Sequence, residues 1–387
     1  MTFTQLAELI ILPHRQPPAR AEGDIMKRRE FLKAAGLGLA TSAVAAPAVA
    51  QLMPEIKWRL TASWPKSLDT LYGTVEHISK RVAEITDNKF QIQGFAAGEI
   101  VPGLQVLDAV QNGTVEMGHT GGYYYVGKDP SFAFTTALPF GLNSRQQESW
   151  QQFGGGMELL DGLFKQYNCV GIPTGNTGAQ MGGWFRSEIK TVDDLKGIKM
   201  RIGGFAGRVV AKLGVVPQQL APGDIYPSLE KGTIDAAEWV GPYDDEKLGF
   251  VKIAKYYYYP GWWEGGAQGH TLINMDKWNE LPKNYQATLT AVIREAGLIQ
   301  LAKYDAQNAP AMKRLLQAGA QLRAFSPEIL EASYKAAQET YAEIGQTNPL
   351  FKKLNESISA YRSDAYLWWQ IAELPFDAFM IRMRTRT

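Results

Sequence analysis

The sequence predicts an α/β fold in two lobes, and three observations lead there. The chain has 387 residues, more than the ~100 to 200 residues of a usual single domain, so two core-bearing lobes are expected. Lys57 to Ala62 reads as a strand; Leu68, Leu71, Val75, Ile78, Val82 and Ile85 then recur at three- and four-residue spacing as one helix face, and Phe90 and Ile92 begin the next strand. Strand, helix, strand is a βαβ unit, which builds a mostly parallel sheet flanked by helices. The third observation is an internal echo: Val110-Gln-Asn-Gly113-Thr-Val-Glu116 returns as Leu229-Glu-Lys-Gly232-Thr-Ile-Asp235. Each copy reads as a helix stopped by a glycine in the left-handed conformation and followed by a strand.

In chain order, the first element is an address. Lys27-Arg28-Arg29-Glu30-Phe31-Leu32-Lys33 sets paired arginines before a mildly apolar stretch, Ala34 to Val49, that closes on Ala48-Val49-Ala50. It resembles a twin-arginine export signal, being rich in Ala and Gly with Lys33 beside it, where a Sec signal has a more hydrophobic core. The stretch is too short to span a bilayer, which takes ~20 apolar residues. Residues 1–25 are expected to be an over-called start or an extension and residues 26–50 the signal, so that the mature chain begins near Gln51 in the periplasm. No other window is long and apolar enough for direct membrane insertion.

Further along, Asp193 to Leu195 reads as a short helix, Gly197 as its stop, and Lys199-Met200-Arg201 as a strand running into Gly203 and Gly204. Ligands of open α/β sheets sit beyond the carboxyl ends of strands, which places Arg201 where a ligand would be. After residue 284 the composition turns helical almost throughout, up to Leu374. Asn348-Pro349 marks the start of a long C-terminal helix, with Leu350, Leu354, Ile358, Tyr361, Ala365, Trp368 and Ile371 on one face. Leu367, Trp369, Leu374, Phe376, Phe379 and Met380 add apolar surface beyond that stripe. Either the helix braces its own chain or it is exchanged in a homodimer, and the dimer is the expectation.

Composition excludes several functions. Lys plus Arg numbers 40 against 39 for Asp plus Glu, so no bulk field draws the chain to nucleic acid or anionic lipid. The single cysteine, Cys169, allows neither a disulfide framework nor a thiolate metal cage and reads as a buried, inert thiol. His119 and His270 have no nucleophile motif nearby, and neither G-x-S-x-G nor H-E-x-x-H occurs. Gly154-Gly-Gly156 and Gly203-Gly204 lack the spacing of a dinucleotide or phosphate loop. An enzyme is therefore not expected; a ligand sensor, or an enzyme using Glu238 and Glu264 as an acid-base pair, are the competing readings.

Four ordered segments carry a resemblance: Lys196-Gly-Ile-Lys-Met-Arg201, Leu220-Ala-Pro-Gly-Asp-Ile-Tyr226, Leu229-Glu-Lys-Gly-Thr-Ile-Asp-Ala-Ala-Glu238 and Asn274-Met-Asp-Lys-Trp278-Asn-Glu-Leu281-Pro282. The chain resembles TRAP-type solute-binding proteins, and Tyr123-Tyr-Tyr-Val-Gly-Lys-Asp-Pro with Trp262-Trp-Glu264-Gly-Gly is similar to the branch that binds 2-oxo acids such as pyruvate with a metal ion. The resemblance implies the two-lobed periplasmic binding protein fold (type II), with residues 51–178 plus 266–305 as lobe I, 179–265 plus 306–347 as lobe II, and 348–387 as a helical extension. It implies closure around a small organic carboxylate and delivery to small and large membrane permease components. A lactate-like hydroxy acid is the alternative ligand.

The resemblance also implies roles for residues. Arg201 clamps the ligand carboxylate, for which its planar fork of donors is suited. Gln180, Glu238, Trp239 and Glu264 surround the ion, Na+ or alternatively Ca2+, both of which take hard oxygen ligands. Many relatives have asparagine where Trp239 stands, so a sugar acid is disfavoured and Trp239 favours a smaller ligand, its backbone carbonyl remaining free for the metal. Tyr123, Tyr124 and Tyr125 either offer phenolic donors to the ligand or pack as core aromatics; an extended backbone there would turn alternate rings to opposite faces.

Overall fold

Residues 53–384 are described by a computed structural model; the paired arginines, the Ala-rich stretch and the expected cleavage near Gln51 lie outside the described residues. β1 (Ile56–Ala62), α1 (Leu71–Ile85) and β2 (Phe90–Phe95) form the expected βαβ unit, with β1 and β2 in parallel register from Ile56↔Phe90 to Thr61↔Phe95. α1 buries Leu71, Val75, Ile78 and Val82 of the predicted stripe; Leu68 is buried in the turn ahead of it, while Ile85, at the helix end, is exposed.

Two sheets result. The first has the order β2-β1-β3-β10-β4, where β3 is Met117–Thr120, β4 is Cys169–Asn176 and β10 is Gln268–Asn274. The second runs β11-β9-β5-β8-β6-β7, with β5 Trp184–Phe185, β6 Lys199–Arg201, β7 Val216–Gln218, β8 Ala236–Ala237, β9 Tyr256–Tyr259 and β11 Gln321–Ala324. Both are mixed. β1 pairs in parallel with β2 and β3, and β6 with β7 and β8, whereas β10 runs antiparallel to β3 and β4, and β5 antiparallel to β8 and β9.

The echo is structural as well. α2 (Val106–Gln111) and α4 (Pro222–Glu230) stop at Gly113 and Gly232, each with φ +71°, a conformation that a side chain would strain; α3 is Ser144–Phe153. In each copy the next threonine N–H returns to the helix, Thr114 to the Ala109 carbonyl and Thr233 to the Ser228 carbonyl, both at 2.9 Å. The chain then enters β3 in one sheet and β8 in the other. β11 interrupts the helical region expected after residue 284: it is four residues long and follows Gly319 at φ +95°, and with its two ends exposed and Leu322 and Arg323 both half-buried no alternating pattern marks it. Cys169 is buried at the start of β4, and burial pushes its thiol up to about 12.

A polar knot joins the turn ahead of α1 to α5 (Pro242–Leu248) and the long helix α6 (Lys283–Gln317). Tyr304 donates to Asp244 Oδ2 at 2.7 Å, and Thr70 Oγ1 lies 2.9 Å from both Asp244 Oδ1 and the Tyr304 hydroxyl. Next to it Asp69 pairs with Lys247 and, at 2.8 Å, with Lys303, which holds its carboxyl down to about 2 although burial acts the other way. Burial raises the Asp244 carboxyl, so each donor it keeps is worth more than a surface hydrogen bond. Tyr304→Phe is expected to lower the unfolding free energy by about 1–3 kcal/mol, because it strands a buried acceptor; urea denaturation measures it.

After α7 (Pro327–Thr347), α8 (Pro349–Arg384) begins where Asn348-Pro349 indicated. Its first turns belong to the body of the protein. Phe351, Leu354 and Ile358 are buried, and Phe351 stacks on Phe205 with ring centroids 5.6 Å apart. Beyond Ala365 Trp369 packs back on Tyr361 and Glu373 pairs with Arg145, and otherwise the helix leaves large apolar side chains in water: Trp368, Leu374 and Phe376 are 65%, 66% and 64% exposed.

Candidate ligand and ion site

Parallel pairing of β6 with β8 sets Arg201 opposite Ala237, and the Glu238 N–H donates to the Arg201 carbonyl at 3.1 Å. The two charged residues therefore leave the carboxyl ends of adjacent strands side by side. Arg201 Nη1 donates to the Glu238 carbonyl at 2.8 Å and to its carboxylate Oε1, which also accepts from the Gly203 N–H at 2.8 Å. Arg201 Nε donates to the Leu220 carbonyl at 3.3 Å. Its Nη2 is buried with no partner among the described residues. A guanidinium nitrogen in that position is a donor awaiting an acceptor.

The segments that connect the sheets bring the other candidates in. Gln180 N–H donates to the Glu264 carbonyl at 3.3 Å, Gln180 Nε2 donates to Thr177 Oγ1 at 3.1 Å, and Gln180 Oε1 is buried with no partner among the described residues. Burial raises the Glu264 carboxyl well above the usual range and Glu238 adds to the shift, while Arg201 and the Gln180 amide pull the other way. Burial likewise raises Glu238, against the pull of Arg201. For Arg201 itself burial opposes the charge, but the surrounding glutamates and tyrosines outweigh it and raise its pKa. The Trp239 ring lies under the guanidinium, 4.9 Å from ring centroid to Cζ.

Tyr123, Tyr124 and Tyr125 lie in a 3₁₀ turn, Gly122–Tyr125, and the extended backbone considered from the sequence does not form. Their rings still diverge. Tyr125 is turned into the first sheet's core, where its hydroxyl accepts from the Leu107 N–H at 3.1 Å and meets Thr120 Oγ1 at 2.9 Å, so it does not join the site. Tyr123 and Tyr124 lie together, centroids 4.5 Å apart, and Tyr123 packs so closely on Gly203 and Gly204 that a Cβ on either would come within 2.5 Å of it. Burial pushes the Tyr124 hydroxyl up to about 12, which keeps it a donor. Gln219 ties this turn to the second sheet, donating to the Tyr124 carbonyl at 3.0 Å and accepting from the Gly204 N–H at 3.1 Å.

Arg201, Glu238, Trp239, Gln180, Glu264, Tyr123 and Tyr124 thus converge. The sequence reading missed Trp64, whose ring lies 6.0 Å from Tyr124 and 6.1 Å from Trp239; its place just past the carboxyl end of β1 was the available signal. Among the described residues no three His, Cys, Asp or Glu side chains stand together as a metal cage. The donors present are two carboxylates, an unpartnered amide oxygen and nearby backbone carbonyls, a set that fits a hard cation whose shell is completed by a ligand.

Residues 61–348 match the model of the bacterial extracellular solute-binding protein family 7. A monocarboxylate 2-oxoacid-binding periplasmic protein of Nostoc sp. PCC 7120 is 49% identical over 360 residues, which is 92% of this chain and 99% of that protein. A TRAP transporter solute-binding protein of Bordetella bronchiseptica, a mixed-occupancy dimer with copurified calcium and picolinate, is 49% identical with a TM-score of 0.85, over 86% of this chain and 99% of that one. Its counterpart from Pseudoalteromonas atlantica, with sodium and pyruvate bound, is 36% identical with a TM-score of 0.81, over 83% and 98% of the two chains. Among the described residues no helix is long and apolar enough to cross a membrane.

The buried Glu264 carboxyl gives a test independent of ligand. A carboxyl whose folded pKa is raised makes the folded state less stable as pH rises above the unfolded value, roughly 4.3. In ion-free protein Glu264→Gln is therefore expected to raise the unfolding free energy at pH 8 by about 1 kcal/mol or more. The gain should vanish near pH 4, where both forms are neutral, and urea denaturation at the two pH values reads it.

Proposed function

The chain belongs to the bacterial extracellular solute-binding protein family 7, and we propose that it is the receptor subunit of a TRAP transporter that captures a 2-oxo acid such as pyruvate together with a metal ion. The observation behind this reading is the unpartnered Nη2 of a fully buried arginine beside two buried glutamates and an unpartnered amide oxygen. Pyruvate and picolinate, the molecules held by relatives, share a carboxylate with a donor atom on the adjoining carbon. Such a pair can chelate a cation while the carboxylate accepts from a guanidinium. On this reading Arg201 holds the carboxylate, and Tyr123 and Tyr124 offer phenolic donors beside it. Gln180, Glu238, Glu264 and the Trp239 carbonyl hold the ion. A bound Na+ or Ca2+ supplies positive charge to a site that otherwise collects negative charge.

The lobe boundaries 51–178 plus 266–305 and 179–265 plus 306–347 are part of the proposal, supported by the first sheet's strands all falling in the former ranges and the second sheet's in the latter. So are export by the twin-arginine route and delivery to small and large permease components. A lactate-like acid presents a hydroxyl where pyruvate has its keto oxygen and is the competitor to include in titrations.

Calorimetry on protein treated with a calcium chelator and exchanged into sodium-free buffer should show pyruvate binding only after Ca2+ or Na+ is restored. Binding undiminished without either ion overturns the coupled site. Arg201→Lys keeps a charge for Glu238 but loses the fork, so a loss of affinity of about 100-fold is expected.

We also propose a homodimer through α8. Its first turns brace its own chain through Phe351, Leu354 and Ile358, so the exposed apolar side chains beyond Ala365, such as Trp368, Leu374 and Phe376, are what is left for a second copy. A chain ended after Asp364 keeps those buried residues. Light scattering should find the full chain dimeric and the shortened chain monomeric, with ligand binding retained.

A further inference from the structure

Once Arg201 is given the carboxylate and the glutamates the ion, a 2-oxo acid still has a carbon substituent that must lie against something. The surfaces at hand are rings. Trp64, Tyr124 and Trp239 form a cluster beside the guanidinium, and Trp64 is 3% exposed although it lies just past a strand end rather than inside a sheet. Trp64 comes from the end of β1 and Trp239 from the end of β8, so their T-shaped contact is where the two sheets face each other across the site.

Trp64 is also fixed from behind. Its Nε1–H donates to His119 Nδ1 at 2.9 Å, its carbonyl accepts from the Ala97 N–H at 3.0 Å, and the other His119 nitrogen lies 3.4 Å from the Thr174 carbonyl. Acceptance at Nδ1 requires a neutral ring with its proton on Nε2, and burial keeps His119 neutral by pulling its pKa to about 4. An indole held by its own N–H and backed by a strand residue cannot swing aside for a longer ligand.

We propose that Trp64 is the specificity-determining residue for the ligand's side chain: its ring closes the aromatic side of the site beside Trp239 and Tyr124 and limits the acid to short substituents. This rests on the 2-oxo-acid reading above and adds the residue that sets chain length.

Pyruvate, 2-oxobutyrate and 2-oxovalerate, titrated calorimetrically in excess Ca2+ against the wild type, Trp64→Ala and Trp64→Phe, separate the possibilities. In the wild type affinity is expected to fall with chain length. In Trp64→Ala the affinity for 2-oxovalerate relative to pyruvate should rise about tenfold or more, the scale of one methylene in an apolar pocket. Trp64→Phe should move the same ratio in the same direction by less, and serves if the alanine variant does not fold. A purely structural tryptophan would weaken all three acids together and leave the ratio unchanged, which overturns the proposal. Failure of the wild type to bind any of the three instead overturns the 2-oxo-acid reading.

Discussion

Burial of unlike numbers of charges governs this molecule. Arg201 and Glu238 sit at neighbouring strand ends, both out of water, and satisfy each other directly. Glu264 is buried in the same place while Arg201 is bonded to Glu238, and burial first, then the charge of Glu238, raise its pKa against the weaker pull of Arg201. A carboxylate ligand would add another negative charge. Counting Arg201, both glutamates and one ligand carboxylate, a monovalent ion leaves one negative charge and a divalent ion none. On the proposed reading an ion is thus the partner that lets acid and protein share a dry site, and relatives hold calcium in one case and sodium in another.

The fold exists to hold this arrangement at a seam. Parallel pairing of β6 and β8 fixes the spacing of Arg201 and Glu238, and the segments that cross between the sheets deliver Gln180 and Glu264. Gly203 and Gly204 are required because Tyr123 packs where their side chains would be. Farther along the seam, Thr70, Asp244 and Tyr304 tie the turn ahead of α1 to α5 and α6. Each of these contacts joins parts of the chain far apart in sequence, so the site is a product of tertiary structure and no local segment holds it.

That is also why the sequence was legible where it was. The stripe of α1, the glycine stops at Gly113 and Gly232, and the Pro349 start of α8 follow from local backbone preferences and apolar spacing, which act within a few residues. Arg201 could be placed because a strand running into two glycines marks its own end. β11 could not, since pairing with β9 rather than any pattern of its own makes it a strand. Alternation along an extended chain would have set Tyr124 apart from Tyr123 and Tyr125; the 3₁₀ turn instead keeps Tyr123 with Tyr124 and turns Tyr125 away. Trp64 carried one weak local signal, its place just past the end of β1, and its contacts with Tyr124 and Trp239, 60 or more positions away in the chain, are what assign it to the site.

On the proposed reading, the division of labour across the seam explains how capture could become a signal to a membrane partner. Arg201 and Trp239 belong to the second sheet's strand ends; Trp64 and Tyr124 belong to the first. A ligand shifts an equilibrium between conformations only by the difference in its affinity for them. An acid bound by one sheet alone would keep its salt link to Arg201 yet leave Trp64 and Tyr124 wet, whereas with the sheets together it gains those rings and the ion is closed off from water. Buried apolar contact and undiluted charge attraction both appear only in the closed arrangement. Acid and ion therefore favour the same closed form, and each strengthens the other's binding without touching the permease.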